Sequence, residues 1–212
     1  MKKTGLFPVF APMIVIALGA LSALAFYPLM GEWAFIVLAI VYWGSSFHIS
    51  CRGLGKNAIR SLFRKPEGSR GWLILSITVA LIPLPILLMN LGLLAYRPML
   101  TILWLVFAVA NPFFEKLFWR GYLLRKLPFP KAWGVAYSTA LFVISHPLMW
   151  GIFSIANRSW MMMVSLTIMG VAWSLVYIKT KSLRWCYVSH VMVNLFNLSV
   201  FVMLNLYVPP GG

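Results

Sequence analysis

Apolar runs of membrane-spanning length recur along this chain, separated by short polar turns. That pattern limits the fold more than any other feature. Backbone N–H and C=O groups placed in hydrocarbon must be satisfied within the protein, so only helices and closed barrels span a bilayer. The runs are continuous and about 20 residues long, the length a membrane helix requires. At 62% hydrophobic residues the 212-residue chain also exceeds the roughly half-apolar make-up of soluble domains. The expectation is an all-α, polytopic transmembrane helix bundle of about seven spans, forming a single membrane domain over residues 1–212.

Taken in order, the first run extends to Met30 behind Met1-Lys2-Lys3. It resembles a signal peptide, with Ala23-Leu24-Ala25 as a cleavage site, but it is too long for a typical h-region and reads as an uncleaved first span. The second span covers Trp33 to about Ile49. Residues 50–70 carry six basic residues, and Ile59, Leu62 and Phe63 are spaced as one face of a short interfacial helix that Pro66 ends. An irregular solvated loop is the alternative for this stretch. The third span runs from Trp72 to about Leu94 and must be kinked by Pro83 and Pro85. The fourth covers about 99–124, with a bend expected at Asn111-Pro112. The fifth, sixth and seventh cover about 132–149, 160–178 and 185–207.

The net charge of +15 comes from 18 Lys and Arg against three acidic residues, Glu32, Glu67 and Glu115. The basic residues sit in short loops between apolar runs, which is the positive-inside pattern and not a nucleic-acid surface. With the amino terminus in the cytoplasm, fourteen of the 18 fall on inside segments, two (Arg97 and Arg158) outside, and two within the fourth span. The carboxyl terminus is then outside, and the basic inner face suits anionic lipid head groups. A prokaryotic plasma membrane fits this distribution, as would the endoplasmic reticulum. Cys51 and Cys186 fall on the cytoplasmic side, where a disulfide is not expected.

The two basic residues within a span are Lys116 and Arg120, and with them stands Glu115. Ionisable groups in hydrocarbon are costly and mark functional sites by default. Two other polar groups interrupt the apolar second half. One is Ser145-His146 in the fifth span. The other is His190 with Asn194 in the seventh, one helical turn apart on one face. At about 1.5 Å rise per residue, Glu115, His146, His190 and Asn194 all fall between the cytoplasmic edge and a little past the midplane. A Glu with a His can take a proton from water. A second His with an Asn can stabilise the oxyanion of a tetrahedral intermediate. Alternatively, two His and a Glu can hold Zn²⁺ with an open position, or the polar pair can simply join helices. His48, at the end of the second span, reads as a solvated or capping residue, and the ten Trp as lipid-facing, core or interfacial residues.

The stretches Glu115-Lys116-Leu117-Phe118-Trp119-Arg120, Phe142-Val143-Ile144-Ser145-His146 and His190-Val191-Met192-Val193-Asn194 together resemble a known family. They are similar to the E-E-x-x-x-R, F-x-x-x-H and H-x-x-x-N motifs of the CPBP family of intramembrane proteases, the CAAX-protease and bacteriocin-processing (Abi) group. Order and spacing match over about residues 100–200, the motif-bearing core. The resemblance implies a glutamate-dependent endopeptidase with no cofactor or metal. Glu115 and His146 would activate water, His190 and Asn194 would form the oxyanion hole, and Arg120 and Phe142 would support the site. The substrate it implies is a membrane-associated or lipid-modified protein or peptide. Lys116 departs from the pattern, where the family has a second Glu, and on a regular helix it would set two like charges side by side with Arg120. A non-catalytic module that binds a membrane partner, or a zinc-dependent protease at the same residues, are the competing readings.

Overall fold

The computed structural model describes residues 5–96 and 98–208. Lys2, Lys3 and Arg97, which enter the charge asymmetry, and the tail from residue 209 lie outside the described residues. Within them all regular structure is helical.

Helix α1 (Phe7–Met30) ends where Gly31 takes φ 57°, and a one-turn 3-10 segment, Gly31–Ala34, leads into α2 (Phe35–Leu54). The two helices pack against each other. A short helix is present where one was expected, α3 (Lys56–Leu62), after Gly55 at φ 79°, and the chain from 63 to 70 leaves helix. The third expected span is broken into α4 (Gly71–Ala80), α5 (Leu84–Met89) and α6 (Gly92–Tyr96). Pro83 and Pro85 lack the N–H groups that would continue the ladder. Helix α7 (Pro98–Glu115) passes through Pro112 without ending. It widens instead at Lys116–Tyr122, a π-helical stretch, before α8 (Leu123–Lys126). Then come α9 (Lys131–Leu148), two 3-10 turns, and α10 (Trp160–Thr180), which starts on the Ser159 hydroxyl and ends where Lys181 turns left-handed at φ 53°. Helices α11 (Arg184–Phe196) and α12 (Ser199–Met203) are separated by Leu198 at φ 49°.

Five segments among the described residues are long and apolar enough to cross a membrane. Two features separate this from the expected seven. The first segment, Phe7–Leu54, holds both α1 and α2. At about 1.5 Å per residue these measure about 36 and 30 Å, so each reaches across a hydrocarbon core of about 30 Å. The last expected span, 185–207, is interrupted at Leu198, and α11 alone reaches only about 20 Å.

The Lys116–Tyr122 stretch is the centre of the bundle, and every one of its residues is buried. It touches α2, α3, α9 and α10. Close approach is permitted by glycine: a Cβ on Gly53 would stand 2.2 Å from the Tyr122 ring, and one on Gly170 2.8 Å from Thr139. The outer surface is apolar, with Leu21, Ile40, Ile74, Ile102, Trp133 and Val164 exposed. This pattern fits a protein whose solvent is lipid, so the chain is an integral membrane protein.

The basic segments gather at one end. Leu183 N–H donates to Leu62 C=O at 2.7 Å, and Glu67 N–H to Thr180 C=O at 2.9 Å. Ser182 Oγ donates to Arg64 C=O at 2.7 Å, and Lys181 pairs with Glu67 at 2.8 Å. Arg125 joins them through Tyr177 OH at 2.7 Å. At the other end, Asn205 clasps the 150s loop, accepting from Ile155 N–H at 2.9 Å and donating to Phe153 C=O at 2.7 Å.

Candidate active site

Glu115 is the last residue of α7 before the helix widens, and its carboxylate is 2% exposed. Oε1 accepts from Tyr42 OH at 3.1 Å. Tyr42 in turn accepts from Trp119 Nε1 at 2.7 Å. A buried chain Trp119–Tyr42–Glu115 therefore fixes the carboxylate from two elements. Asn111, one turn earlier, is held by Trp43 Nε1 at 2.8 Å. The other oxygen, Oε2, has no hydrogen-bond partner and stands 3.7 Å from His190 Nε2.

His190 and Asn194 lie on the buried face of α11, as their spacing requires. The His190 ring stacks on Trp173, with centroids 4.7 Å apart. Its Nδ1 and the Asn194 Nδ2 have no partner, although both are buried. Asn194 is positioned through its backbone, whose C=O accepts from Trp104 Nε1 at 3.1 Å. His146, near the end of α9, is held by Phe142 C=O, 2.9 Å from its Nδ1. A carbonyl only accepts, so that nitrogen carries the proton and Nε2 keeps a lone pair. The ring also packs edge-on against Phe142.

Glu115, His146, His190 and Asn194 all line one cavity of about 50 Å³. Asn111, Asn157, Trp150 and Trp173 are among the other polar and aromatic residues of its wall. Three helices thus present four polar groups, spread over 79 residues of sequence from Glu115 to Asn194, to one small space. Glu115 pairs with His190 and not directly with His146, which reaches the same cavity from α9. The cavity shares Met162, Met169, Val193 and Asn197 with a second, apolar pocket of about 280 Å³. That pocket is bounded on its far side by Ile82 and Ile86 around the proline break, and Ile82 is exposed on the outer surface.

Lys116 and Arg120 do not face the cavity. Lys116 is 1% exposed, and its Nζ lies 3.0 Å from the centre of the Trp173 ring and 5.6 Å from that of Phe142. Arg120 is fully buried, donates through Nη1 to Ser138 Oγ at 2.8 Å, and sits 5.2 Å from the Phe142 ring. Its Nε and Nη2 have no partner. Aromatic faces thus take the place of a carboxylate for both cations; such contacts are worth about 2 kcal/mol when desolvated. Phe142 therefore touches His146, Lys116 and Arg120 at once.

Sequence reasoning missed Tyr42, Asn111 and Trp173 as members of this assembly. Tyr42 and Trp173 stand in apolar runs with no local signal. Asn111 was visible only as half of a helix-bend dipeptide. Among the described residues no three His, Cys, Asp or Glu side chains are grouped as metal ligands. His48 is exposed, as read from sequence.

Fold and site together define a polytopic helical membrane protein with a cluster of ionisable groups, Glu115, Lys116, Arg120, His146 and His190, inside the bundle. Residues 97–196 match the family model described as Type II CAAX prenyl endopeptidase Rce1-like. The motif-bearing core, a little under half of the chain, therefore matches the CPBP, or CAAX-protease, family of intramembrane proteases. No curated protein and no solved structure matches the chain.

Proposed function

We propose that this protein is an intramembrane endopeptidase that hydrolyses a peptide bond in a membrane-associated or lipid-modified protein, using water activated at Glu115. One observation carries this reading. Five buried polar atoms without partners, Glu115 Oε2, His190 Nδ1, Asn194 Nδ2, Asn197 Oδ1 and Ser199 Oγ, belong to side chains lining a single cavity. Orphaned buried polar atoms are costly and rare. Grouped around a space with room for a few waters, at roughly 10–15 Å³ each, they suit a site that awaits water and a carbonyl group.

In this reading Glu115 Oε2 takes a proton from water, and the resulting hydroxide attacks the peptide carbonyl carbon. His146 Nε2, with its lone pair, assists from the opposite wall. The oxyanion accepts from Asn194 Nδ2–H and from His190. A neutral His190 protonated at Nδ1 turns the Nε2 lone pair towards Glu115, and Glu115 can satisfy it once it carries the proton. Collapse of the tetrahedral intermediate returns the proton to the leaving amine, leaving a new carboxylate and a new amino terminus. Substrate reaches the site from the bilayer through the apolar pocket that shares its wall. The basic end lies on the cytoplasmic side of a prokaryotic plasma membrane, with the amino terminus inside and the carboxyl terminus outside, and no metal or cofactor takes part.

A second reading has a specific observation in its favour. Lys116 and Arg120 are buried without a carboxylate partner and Lys116 packs on the ring that stacks on His190, an arrangement open to a non-catalytic module that binds a membrane partner. Mass spectrometry of membrane proteins from host cells carrying wild type, Glu115→Gln or Lys116→Glu separates the two. The protease reading expects cleavage products with wild type, none with Glu115→Gln, and no loss on adding a strong chelator. Loss on chelation, with stoichiometric zinc in the purified protein, would establish a metal site instead. Identical proteomes and phenotypes for wild type and Glu115→Gln would establish the binding module.

A further inference from the structure

The basic end of the bundle contains a recess unrelated to the candidate active site. It lies between the α8–α9 connection and the end of α10 and measures about 300 Å³. Arg125, Lys131 and Lys181 line it, with Leu127, Phe129 and Tyr177. All three cations are exposed. Arg125 is held in place by Nε donating to Tyr177 OH, which leaves the rest of its guanidinium directed to other partners. Lys181 is held by Glu67, the one carboxylate at the recess, and that hydrogen bond keeps its pKa above the usual lysine value. Lys131 has no acidic partner among the described residues. The recess therefore keeps a net positive charge.

It also continues onto the lipid-facing surface. Phe129 is shared with a shallow, almost wholly apolar groove of about 430 Å³ that runs along α9 past Trp133, Ala136, Tyr137 and Ala140. These positions recur at helical spacing on one stripe, and Trp133 is 70% exposed. From Lys131 to Ala140 the helix rises about 14 Å. Half of a hydrocarbon core of about 30 Å is about 15 Å. The groove is therefore one leaflet deep, with the cations at its polar end.

We propose that this recess and groove form a binding site for one anionic phospholipid. Its phosphate group pairs with Arg125, Lys131 and Lys181, and an acyl chain lies along Phe129, Trp133, Tyr137 and Ala140. Charge selects the headgroup, since a zwitterionic lipid brings a competing cation to a recess that already holds three. The depth of the groove selects a membrane lipid over a soluble phosphate.

The test is native mass spectrometry of the full chain purified in mild detergent and mixed with equal amounts of phosphatidylglycerol and phosphatidylcholine. Wild type is expected to retain one phosphatidylglycerol in preference to phosphatidylcholine. The double variant Arg125→Gln, Lys131→Gln is expected to bind it about 30-fold more weakly, each basic residue near an anionic lipid being worth about a factor of five. Trp133→Ala is expected to weaken retention while leaving the headgroup preference. Lys179→Gln, an exposed cation at the same end that does not line the recess, is expected to change nothing. Equal retention of the two lipids would overturn the proposal, as would a double variant that binds like wild type. Displacement by millimolar inorganic phosphate would show a free-phosphate site. A loss with Lys179→Gln equal to that of the double variant would show a diffuse basic surface.

Discussion

Tyr42 ties Glu115 to a helix that none of the sequence motifs occupies. Its hydroxyl donates to Glu115 and accepts from Trp119, so Tyr42→Phe removes a donor and an acceptor together. Leaving a buried partner unsatisfied costs about 1–3 kcal/mol. The variant should unfold at lower temperature in detergent and cleave more slowly, and both are read on one preparation by thermal melting and product formation. Lys116 makes the opposite case. It is a buried cation with aromatic partners and no carboxylate bond, and an apolar side chain of similar length removes the cost of desolvating that charge. Lys116→Met should therefore melt higher than wild type while keeping the cleavage activity. A lower melting temperature would show that the contact with Trp173 outweighs desolvation. Neither expectation follows from the motif, because on a regular helix Lys116 would face Arg120 and no ring.

The π-helical stretch from Lys116 to Tyr122 is the element on which the site turns. Its wider winding re-aims the side chains that follow Glu115, so that two cations four residues apart both reach the Phe142 ring. The stretch is packed so closely that small residues on its neighbours are required. A methyl group at Gly53 would meet the Tyr122 ring, which is 2% exposed and stacked on Phe118. At Gly170 it would meet Thr139 and Arg120 Nη2 at 2.8 and 3.2 Å, both groups being buried. Overpacking of this kind costs about 1–3 kcal/mol. Gly53→Ala and Gly170→Ala should each lower the melting temperature, whereas Gly44→Ala, where a Cβ meets nothing within 4 Å, should not. The prolines interrupt the helix in the third span and are carried within it in the fourth. Pro83 and Pro85 end α4, while Pro112 is carried inside α7 and the distortion appears four residues later.

At the scale of the whole molecule, charge and hydropathy act together. Apolar helices set the bundle in the membrane, and the segments 50–70, 125–131 and 179–184 meet at one end through the contacts of Arg64, Glu67, Arg125 and Lys181. If that end is cytoplasmic, as proposed from the excess of positive charge, sidedness is directly measurable. In a Cys51→Ser background, a membrane-impermeant thiol reagent added to intact cells should label Ile155→Cys and spare Lys56→Cys and Lys179→Cys. Labelling of the last two with sparing of Ile155→Cys would invert the topology. Seven apolar runs were legible from sequence. The last of them does not form one helix, because Leu198 turns left-handed between α11 and α12 and no proline or glycine announces the turn.

The sequence by itself determined the class of fold, the boundaries of the α7–α8 segment, α9 and α10 to within a few residues, and the identity of the polar residues that interrupt the apolar helices. These follow from local rules: hydrocarbon demands helices of a certain length, and charge within them is too costly to be incidental. The one-face placement of His190 and Asn194 was equally local, since it follows from helical period alone. Only the tertiary structure decided which groups meet. That Glu115 stands beside His190, that Tyr42 and Trp119 hold it, and that Lys116 lies on Trp173 depend on contacts between helices up to 77 residues apart. Such contacts are set by how ridges, glycines and aromatic rings pack, and no periodicity within a single helix records them.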